Sequence, residues 1–327
     1  MRGDIFRRLI EAHAEGDDAS FRKAVLQLAA SESAAGHARI ADEIRMLVAS
    51  LPTTARSNVV DIAQPRGELA DILEGGFREE RLRDIVLTDT TRADLTRVVQ
   101  ENRARAALEA HGVQPRRRLL FHGPPGCGKT LTAAVIAGEM GLPLMTVRLA
   151  ALFSRFLGAT ATHLRAVFQE MPRRPGVYLF DEFDAVGQAR GDGQDVGEMR
   201  RVVTSFLQFI DADRSPSLLI AATNHAELLD RAIFRRFDVV LTFSLPTTDA
   251  IADLLRLRLP SHDLPGDLVH LLAARADGLS FADVARACDD AIRSMVLAGE
   301  TRLREDHLAM AFDASIRRAA EQQHLRA

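Results

Sequence analysis

The sequence contains no tryptophan, one tyrosine and only two cysteines, Cys127 and Cys288. The two cysteines are far apart and neither belongs to a Cys-x-x-Cys pair, which argues against a disulfide framework or a zinc site and for a reducing compartment. No apolar run approaches the roughly 20 residues that span a bilayer. Residues 1–8 also lack the apolar segment of a secretory signal. We therefore expect a cytoplasmic protein without a membrane partner.

An excess of charge of one sign is missing as well. The formal net charge is −3, which gives no general attraction to nucleic acid or to anionic membranes. The apolar fraction of 47% and the charged fraction of 27% are those of an ordinary globular protein. A chain of 327 residues is long enough for two or three domains.

The hydrophobic pattern divides the chain into four parts. Residues 1–50 show three short amphipathic stripes, which predict a helical N-terminal domain that either docks a partner or packs on the main domain. Residues 51–68 lack periodicity and predict a linker. Residues 69–246 alternate helix and strand, as in a doubly wound, mostly parallel α/β sheet with helices on both faces. Residues 247–327 contain helical patterns only and predict a small helical domain.

The predicted elements have the following bounds. Strands are expected at 118–122, 144–148, 176–180, 217–222 and 238–243. Helices of the α/β part are expected at 91–110, 129–140, 160–171 and 198–210, and those of the last part at 251–259, 268–276, 281–297 and from 304 to the end.

Residues 123–130 fit the pattern Gly-x-x-x-x-Gly-Lys-Ser/Thr between a strand and a helix, which is the loop that holds nucleotide phosphates. Glycines let backbone N–H groups approach phosphate oxygens, and the next helix offers free N–H groups at its N-terminus. Lys129 is expected on the β- and γ-phosphates and Thr130 on Mg²⁺. The predicted nucleotide contacts are Gly123, Pro124, Pro125, Gly126, Cys127, Gly128, Lys129, Thr130, Leu131 and Asp181.

Polar residues end two later strands. Asp181 and Glu182 follow an apolar strand, and ligands of parallel sheets bind at this carboxyl edge. Asp181 is expected to hold Mg²⁺ together with Thr130, and Glu182 to polarise the attacking water. Asn224 ends the next buried strand and is expected to contact the lytic water or the γ-phosphate. A second acid beside the first favours ATP hydrolysis over a GTPase-like switch, which orients its water with Gln.

These motifs, followed by Leu229–Asp238 with its adjacent Arg235 and Arg236, resemble the AAA subgroup of AAA+ ATPases over roughly residues 85–300. The resemblance implies the P-loop NTPase fold, a helical lid, ATP and Mg²⁺ as ligands and ATP hydrolysis. It makes Asp181 and Glu182 the Walker B acids and Asn224 sensor 1. It makes Arg235 and Arg236 arginine fingers that reach a neighbouring subunit's ATP, within a homo-oligomer that is expected to be a hexamer.

The family pattern also places three further segments. The run 278–283 resembles the sensor 2 turn, with Phe281 where glycine is usual. Ile85, Val86 and Leu87 occupy the place where the family's backbone borders adenine. Phe156, Leu157 and Gly158 match the loop that grips an unfolded polypeptide in a ring's pore, and the glycine-rich segment 187–197 suits a second pore loop. Cys127 is interpreted as a small side chain tolerated in the loop, rather than as a redox-sensitive thiol.

Three functions are compatible with these motifs. The favoured one is a ring ATPase that unfolds, threads or remodels a protein. A nucleotide switch that activates a partner without threading is the second, and a DNA-directed loader or regulator is the third. The run Arg116–Arg118 is the only dense basic stretch, which argues against nucleic acid as a partner. The N-terminal segment is similar to stand-alone bacterial AAA ATPases, often encoded beside a subtilisin-like protease, which is therefore a candidate partner.

Overall fold

The computed structural model describes residues 72–149, 160–184, 195–260, 262 and 264–324, with the backbone alone for 195–201 and 322–324. Seven isolated residues nearer the N-terminus are also described: Val25, Leu28, Ala29, His37, Arg39, Asp42 and Met46. The chain divides into two compact units, Met1–Asp61 and Ile62–Ala327. In the first unit, all the described residues except His37 are helical. The limits given above for the four domains stay predictions.

A six-stranded sheet forms the centre of the second unit. Its strands are β1 (Leu73–Gly76), β2 (Arg118–His122), β3 (Leu144–Arg148), β4 (Val177–Asp181), β5 (Leu218–Thr223) and β6 (Val239–Thr242), in the spatial order β1-β3-β4-β5-β2-β6. The pairs β3–β4, β4–β5, β5–β2 and β2–β6 are parallel, and β1 is antiparallel to β3. The expected mostly parallel α/β sheet is thus confirmed.

Ten helices surround and follow the sheet in the described residues. Those of the α/β part are α1 (Asp89–Arg103), α2 (Arg105–Ala110), α3 (Lys129–Met140), α4 (Thr160–Glu170), α5 (Asp195–Ala212) and α6 (Arg231–Phe234). Those that follow are α7 (Thr248–Arg258), α8 (Gly266–Arg275), α9 (Phe281–Leu297) and α10 (Glu305–His324). Short 3₁₀ turns occur at Leu82–Asp84 and Ala226–Leu228.

Side chains alternate between the two faces of the sheet along each strand, and an apolar layer covers each face. Tyr178 and Phe180 of β4 face one layer, where Phe206 of α5 packs edge-on against Phe180 with a centroid distance of 5.3 Å. Leu179 faces the other layer, together with Ile136 of α3 and other side chains of α1 and α3. Because both faces are covered by helices, the strands are buried on both sides and their sequences are almost continuously apolar.

Helices α7–α10 build a third apolar cluster of their own, which includes Leu255, Val269, Ala287 and Phe312. This part forms the helical lid that the sequence predicts. Apart from the short helix α6, which was not expected either, and from shifts of a few residues at the ends of elements, two elements differ from the expected ones. The predicted helix 91–110 is interrupted at Ala104 and forms α1 and α2. Strand β1 was not expected, because Leu-Glu-Gly-Gly has neither alternation nor strand propensity.

Candidate active site

The order of the strands brings the three predicted polar segments together. Strands β4, β5 and β2 are neighbours, and all three run parallel. The loop after β2, the acids at the end of β4 and Asn224 after β5 therefore emerge at the same edge of the sheet. Residues that are about 100 positions apart in the chain converge on one place because the strand order differs from the chain order.

The phosphate loop depends on glycine at two positions with distinct contacts. Gly123 has φ +137°, and a Cβ there would lie 1.8 Å from the carbonyl oxygen of Phe243. Gly126 has φ +76°, and its Cβ would lie 2.5 Å from Oγ of Ser280 at the start of α9. Any larger residue would move β6 or the lid away from the loop. The loop is thus fitted between the sheet and the lid.

Lys129 begins α3 and lies at the centre of the loop. Its side chain is buried, with 7% relative exposure. The ammonium donates to the carbonyl oxygens of Gly123 at 2.7 Å and Pro124 at 2.8 Å, and to Oδ1 of Asn224 at 2.8 Å. Burial lowers the pKa of Lys129, whereas the charges of Cys127, Asp181 and Asp184 oppose that shift. A phosphate at this place would meet a desolvated cation, where electrostatic interactions are strong.

Two oxygen groups that suit a metal lie beside Lys129. The hydroxyl of Thr130 donates to Oδ2 of Asp181 at 2.7 Å. One hydroxyl and one carboxylate are what Mg²⁺ takes from a protein when nucleotide phosphates and water complete its octahedron. Within the described ranges, no group of three or more His, Cys, Asp or Glu side chains is placed to hold a metal. The donor set therefore fits Mg²⁺ brought with a nucleotide, rather than an ion held by protein alone.

Glu182 has a backbone conformation that is uncommon for its residue type. Its φ is +54°, and it is the only non-glycine residue with positive φ in the part of the chain that the structure describes. Its N–H donates to Oδ1 of Asp181 at 2.9 Å. Such left-handed residues cost about 1–3 kcal/mol and cluster at functional sites. The turn directs the two adjacent acids differently, so that Asp181 contacts Thr130 while Glu182 stays exposed.

Asp184 is a residue that the sequence reasoning missed. It is buried, and its Oδ1 accepts from the hydroxyl of Thr223 at 3.1 Å and from the backbone N–H of Asn224 at 3.2 Å. Asp184 thereby fixes the end of β5 and aims the amide of Asn224 at Lys129. In the sequence, Asp184 is only a third acid two positions after Glu182. Its partners, Thr223 and Asn224, could not be identified without knowing that β5 lies beside β4.

A cavity of about 630 Å³ extends from the phosphate loop to the lid. Most of the predicted contacts line it, namely Pro125, Gly126, Cys127, Gly128, Lys129, Thr130, Leu131, Asp181, Glu182 and Asn224. Gly123 and Pro124 do not line it, although their carbonyls hold Lys129. The other walls are Asp84, Ile85 and Val86 on one side and Leu254, Leu257, Arg258, Phe281, Ala282 and Ala285 of the lid on the other. Ile85 and Val86, which the family pattern places beside adenine, thus line the cavity.

The lid contacts the phosphate loop directly. The N–H of Ala282 donates to the carbonyl oxygen of Gly126 at 3.0 Å. Ser280 and Asp283 form a capping box at the start of α9, in which Oγ of Ser280 accepts from the N–H of Asp283 at 3.2 Å. Phe281, which replaces the usual glycine, lines the cavity and packs against the lid core. The turn therefore keeps its cap with an aromatic side chain in this position.

The two predicted arginine fingers differ in their surroundings, and neither lines the cavity. Arg236 donates to the carbonyl oxygen of Ala232 at 2.8 Å and pairs with Asp211 at 3.4 Å. Arg235 is exposed, and no hydrogen bond or ion pair to its guanidinium is found among the described residues. One arginine is thus held by its own chain and the other is available for a partner.

Both predicted pore loops lie wholly or mostly outside the described residues. This is true of Phe156, Leu157 and Gly158, and of the segment 187–197, of which only the backbone of 195–197 is described. Among the described helices, none is both long and apolar enough to cross a lipid bilayer.

Comparison with known proteins places the chain in a family. The ATPase family associated with various cellular activities (AAA) matches residues 119–245. A protein named Uncharacterized AAA family ATPase y4kL, from Sinorhizobium fredii, is 37% identical over 99% of this chain and 98% of its own length. The ATP-dependent zinc metalloprotease FtsH 3 of Sphaerobacter thermophilus is 31% identical over 81% of this chain, which spans 50% of that protein. The chain belongs to the AAA family of ATPases and hydrolyses ATP.

Proposed function

We propose that this ATPase assembles into a homo-oligomeric ring, a hexamer by analogy with its family, in which ATP hydrolysis remodels or threads a protein partner. The observation that carries the proposal is an ATP cavity that neither predicted arginine finger of its own chain lines, together with an arginine that is exposed outside it. Lys129, Thr130, Asp181, Glu182 and Asn224 converge on the cavity, whereas Arg235 does not reach it. A second copy would bring that missing cation.

Each side chain has a distinct role in the proposed mechanism. Lys129 binds the β- and γ-phosphates, and the loop glycines let backbone N–H groups do the same. Thr130 and Asp181 would hold Mg²⁺, which, when bound, neutralises charge on those phosphates. Glu182 accepts a proton from the attacking water. Asn224, aimed by Asp184, orients that water or the γ-phosphate.

The exposed arginine accounts for the proposed dependence on assembly. A finger supplied by a neighbour stabilises the charge that spreads over the transferring phosphoryl group. Arg236, held by Asp211 and by the carbonyl of Ala232, supports the turn that presents Arg235. In this arrangement, ATP hydrolysis is fast only when two copies are in contact. The hydrolysis rate of each subunit therefore depends on its neighbour.

A nucleotide switch without threading is the second candidate. The hydrogen bond from Ala282 to Gly126 favours it, because any movement of the phosphate loop on nucleotide exchange is passed to the lid. In that case the lid movement itself would activate a partner, for which a subtilisin-like protease is one candidate. Both functions use the same cavity, and they differ in whether a polypeptide passes through the ring.

Replacing Phe156 with alanine separates these two functions. If Phe156 grips an extended chain by apolar contact, the variant should keep nucleotide affinity and basal hydrolysis but lose work on the partner. If Phe156 belongs to a core, the variant should lose about 3–5 kcal/mol of stability, and all activities should fall together. A thermal melt, an ATPase assay and a partner-activation assay are run side by side. A stable variant that hydrolyses ATP and still activates its partner fully would leave the switch as the function.

A further inference from the structure

The arginine run 116–118 has no part in the mechanism above, and it lines a second cavity. This cavity, which we call the basic cavity, has a volume of about 430 Å³. Of the described residues, four arginines and two acids lie on its walls, namely Arg116, Arg117, Arg118, Arg214, Glu109 and Asp238. Cations therefore outnumber anions in this concave and polar place.

The basic cavity lies at the opposite edge of the sheet from the ATP cavity. Arg118 is the first residue of β2 and His122 is the last, and the phosphate loop follows His122. Because a strand rises about 3.3 Å per residue, the two ends of β2 are about 13 Å apart. Among the described residues, no side chain lines both cavities. The basic cavity is a separate place, and an inference about it does not depend on the proposed function.

Two of the four arginines are paired with carboxylates of the same chain. Arg116 donates through Nε to Oε2 of Glu101 at 3.0 Å, and its Nη2 contacts the other oxygen of that carboxylate. Arg117 is buried, pairs with Asp213, and donates to the carbonyl oxygen of Ser215 at 3.1 Å. The charges of these two arginines are therefore balanced, and their main effect is to fix the wall of the basic cavity.

The other two arginines have no carboxylate partner within the described ranges. Arg214 is exposed, and its Nη1 donates to the carbonyl oxygens of Asp211 and Asp213, each at 2.9 Å. For Arg118, no hydrogen bond or ion pair of the guanidinium is found there. Burial lowers the pKa of Arg118 and the charge of Arg117 lowers it further, whereas nearby carboxylates oppose that shift. Since a guanidinium stays protonated in a protein, a bound anion would stabilise this partly desolvated cation.

The two acids on the walls are engaged with other groups. Oδ2 of Asp238 accepts from the backbone N–H groups of Arg117 and Arg118, each at 2.9 Å. Glu109 pairs with Arg105 at 3.8 Å. Among the described side chains of the basic cavity, two guanidinium groups thus remain without an ion pair.

We propose that the basic cavity binds the phosphoryl group of a small phosphorylated molecule through Arg118 and Arg214. A guanidinium has five N–H donors in a planar fork that matches phosphate oxygens in pairs. Two guanidinium groups balance the roughly two negative charges of a phosphate monoester at neutral pH. A volume of about 430 Å³ is that of a small-molecule pocket. A nucleic acid would instead need a basic stripe along the surface.

Labelling with phenylglyoxal, an arginine-specific reagent, tests the basic cavity in the native protein. The probe is inorganic phosphate at constant ionic strength, and the labelling of each arginine is measured on its proteolytic peptide. Millimolar phosphate should slow the labelling of Arg118 and Arg214 several-fold. Arg302, which is exposed in the lid and far from the basic cavity in the chain, is the control and should react at an unchanged rate. Equal protection of Arg302, or no protection of Arg118 and Arg214, would overturn the proposal.

Two variants measure how much each arginine contributes to phosphate binding. Arg118→Gln and Arg214→Gln remove the charge and keep a polar side chain, and Arg302→Gln is the matched control. The protein is first saturated with a non-hydrolysable ATP analogue, so that the phosphate loop is occupied. Isothermal titration should then show the Kd of phosphate rising at least about tenfold in each of the two variants, as for loss of a hydrogen bond to a charged group. It should stay within about twofold in Arg302→Gln.

The outcome of this titration does not depend on the folding of Arg118→Gln. Arg214 is exposed, so Arg214→Gln should keep the native Tm and gives the answer alone if Arg118→Gln does not fold. Unchanged phosphate affinity in either folded variant would refute the proposal. The Kd of ATP should stay within about twofold in both variants, because neither arginine lines the ATP cavity.

The ATP of a second copy is another source of phosphoryl groups, and Lys129→Ala distinguishes it from a separate ligand. This variant should lose ATP affinity but keep the basic cavity, which Lys129 does not line. Phosphate should therefore still protect Arg118 and Arg214 from phenylglyoxal in Lys129→Ala. Protection by ATP but not by phosphate, lost in Lys129→Ala, would assign the two arginines to the nucleotide of a neighbouring copy and would refute a separate site.

Discussion

Lys129→Ala removes the buried cation at the centre of the phosphate loop. In the native protein the ammonium donates to three oxygen atoms, those of Gly123, Pro124 and Asn224, at 2.7–2.8 Å. When ATP binds, we expect two of these donors to turn to phosphate oxygens. Each hydrogen bond to a charged group contributes about 1.5–3 kcal/mol, so two of them amount to about 3–4 kcal/mol after the loss of the loop contacts. The Kd of ATP should therefore rise by about 10²–10³-fold.

The same substitution should have little effect on stability. The three acceptors line or border an open cavity, so water can replace the ammonium, and we expect a cost of about 1 kcal/mol. For a unit of this size that cost lowers the Tm by about 2–4 °C. A large loss of affinity beside a small shift of Tm is the signature of a ligand-binding residue, because a structural residue would change both together.

Titration with a fluorescent ATP analogue measures the nucleotide affinity, and a thermal melt measures the Tm. The native protein offers a second readout, because Lys23 and Lys129 are its only lysines. ATP should protect Lys129 from an amine-reactive reagent and leave the labelling of Lys23 unchanged. The labelling of each lysine is measured on its proteolytic peptide. A Lys129→Ala variant that binds ATP within threefold of the native protein would refute the reasoning, as would equal labelling of Lys129 with and without ATP.

Two further predictions concern the fingers and the thiols. Arg235→Ala should lower the ATPase rate by about 10³-fold or more without changing the melt, and mixing with Lys129→Ala should partly restore hydrolysis, since that subunit supplies an intact finger. Equal ATPase rates per subunit in monomer and oligomer fractions would contradict a finger that acts on a neighbour. Burial raises the pKa of the Cys127 thiol, and it raises that of Cys288 to about 12, so both should alkylate slowly at neutral pH and faster as the pH rises, because the thiolate is the nucleophile. ATP should protect Cys127 alone, and rapid alkylation of Cys127 at pH 7 would show that its thiol is not shielded.

The sequence predicted the elements whose signals are local. Helix α9 was expected at 281–297 and occupies Phe281–Leu297, because Ser280 and Asp283 mark its start and an apolar stripe follows at helical spacing. Strand β2 and the phosphate loop were found because the motif specifies its own flanking elements. In each case the residues that determine the structure are neighbours in the chain.

The features that were missed depend on residues distant in the chain. Strand β1 is held by pairing with β3, about 70 residues later, and its own composition does not favour a strand. Asp184 acquires its partners only because β5 lies beside β4. Arg258 lines the cavity because α7 and α9 pack together in the lid. Periodicity and motifs report local preference, and none of these contacts is local.

The measurement that tests the central claim most directly is made on Glu182→Gln. The account separates binding, which Lys129 and the loop provide, from hydrolysis, which needs the carboxylate of Glu182 as base. We expect Glu182→Gln to bind ATP within a few-fold of the native affinity and to lose about 10²–10⁴-fold in turnover, as for removal of a general base. Normal turnover by Glu182→Gln would contradict the account, because the carboxylate at the end of β4 would then not be the base.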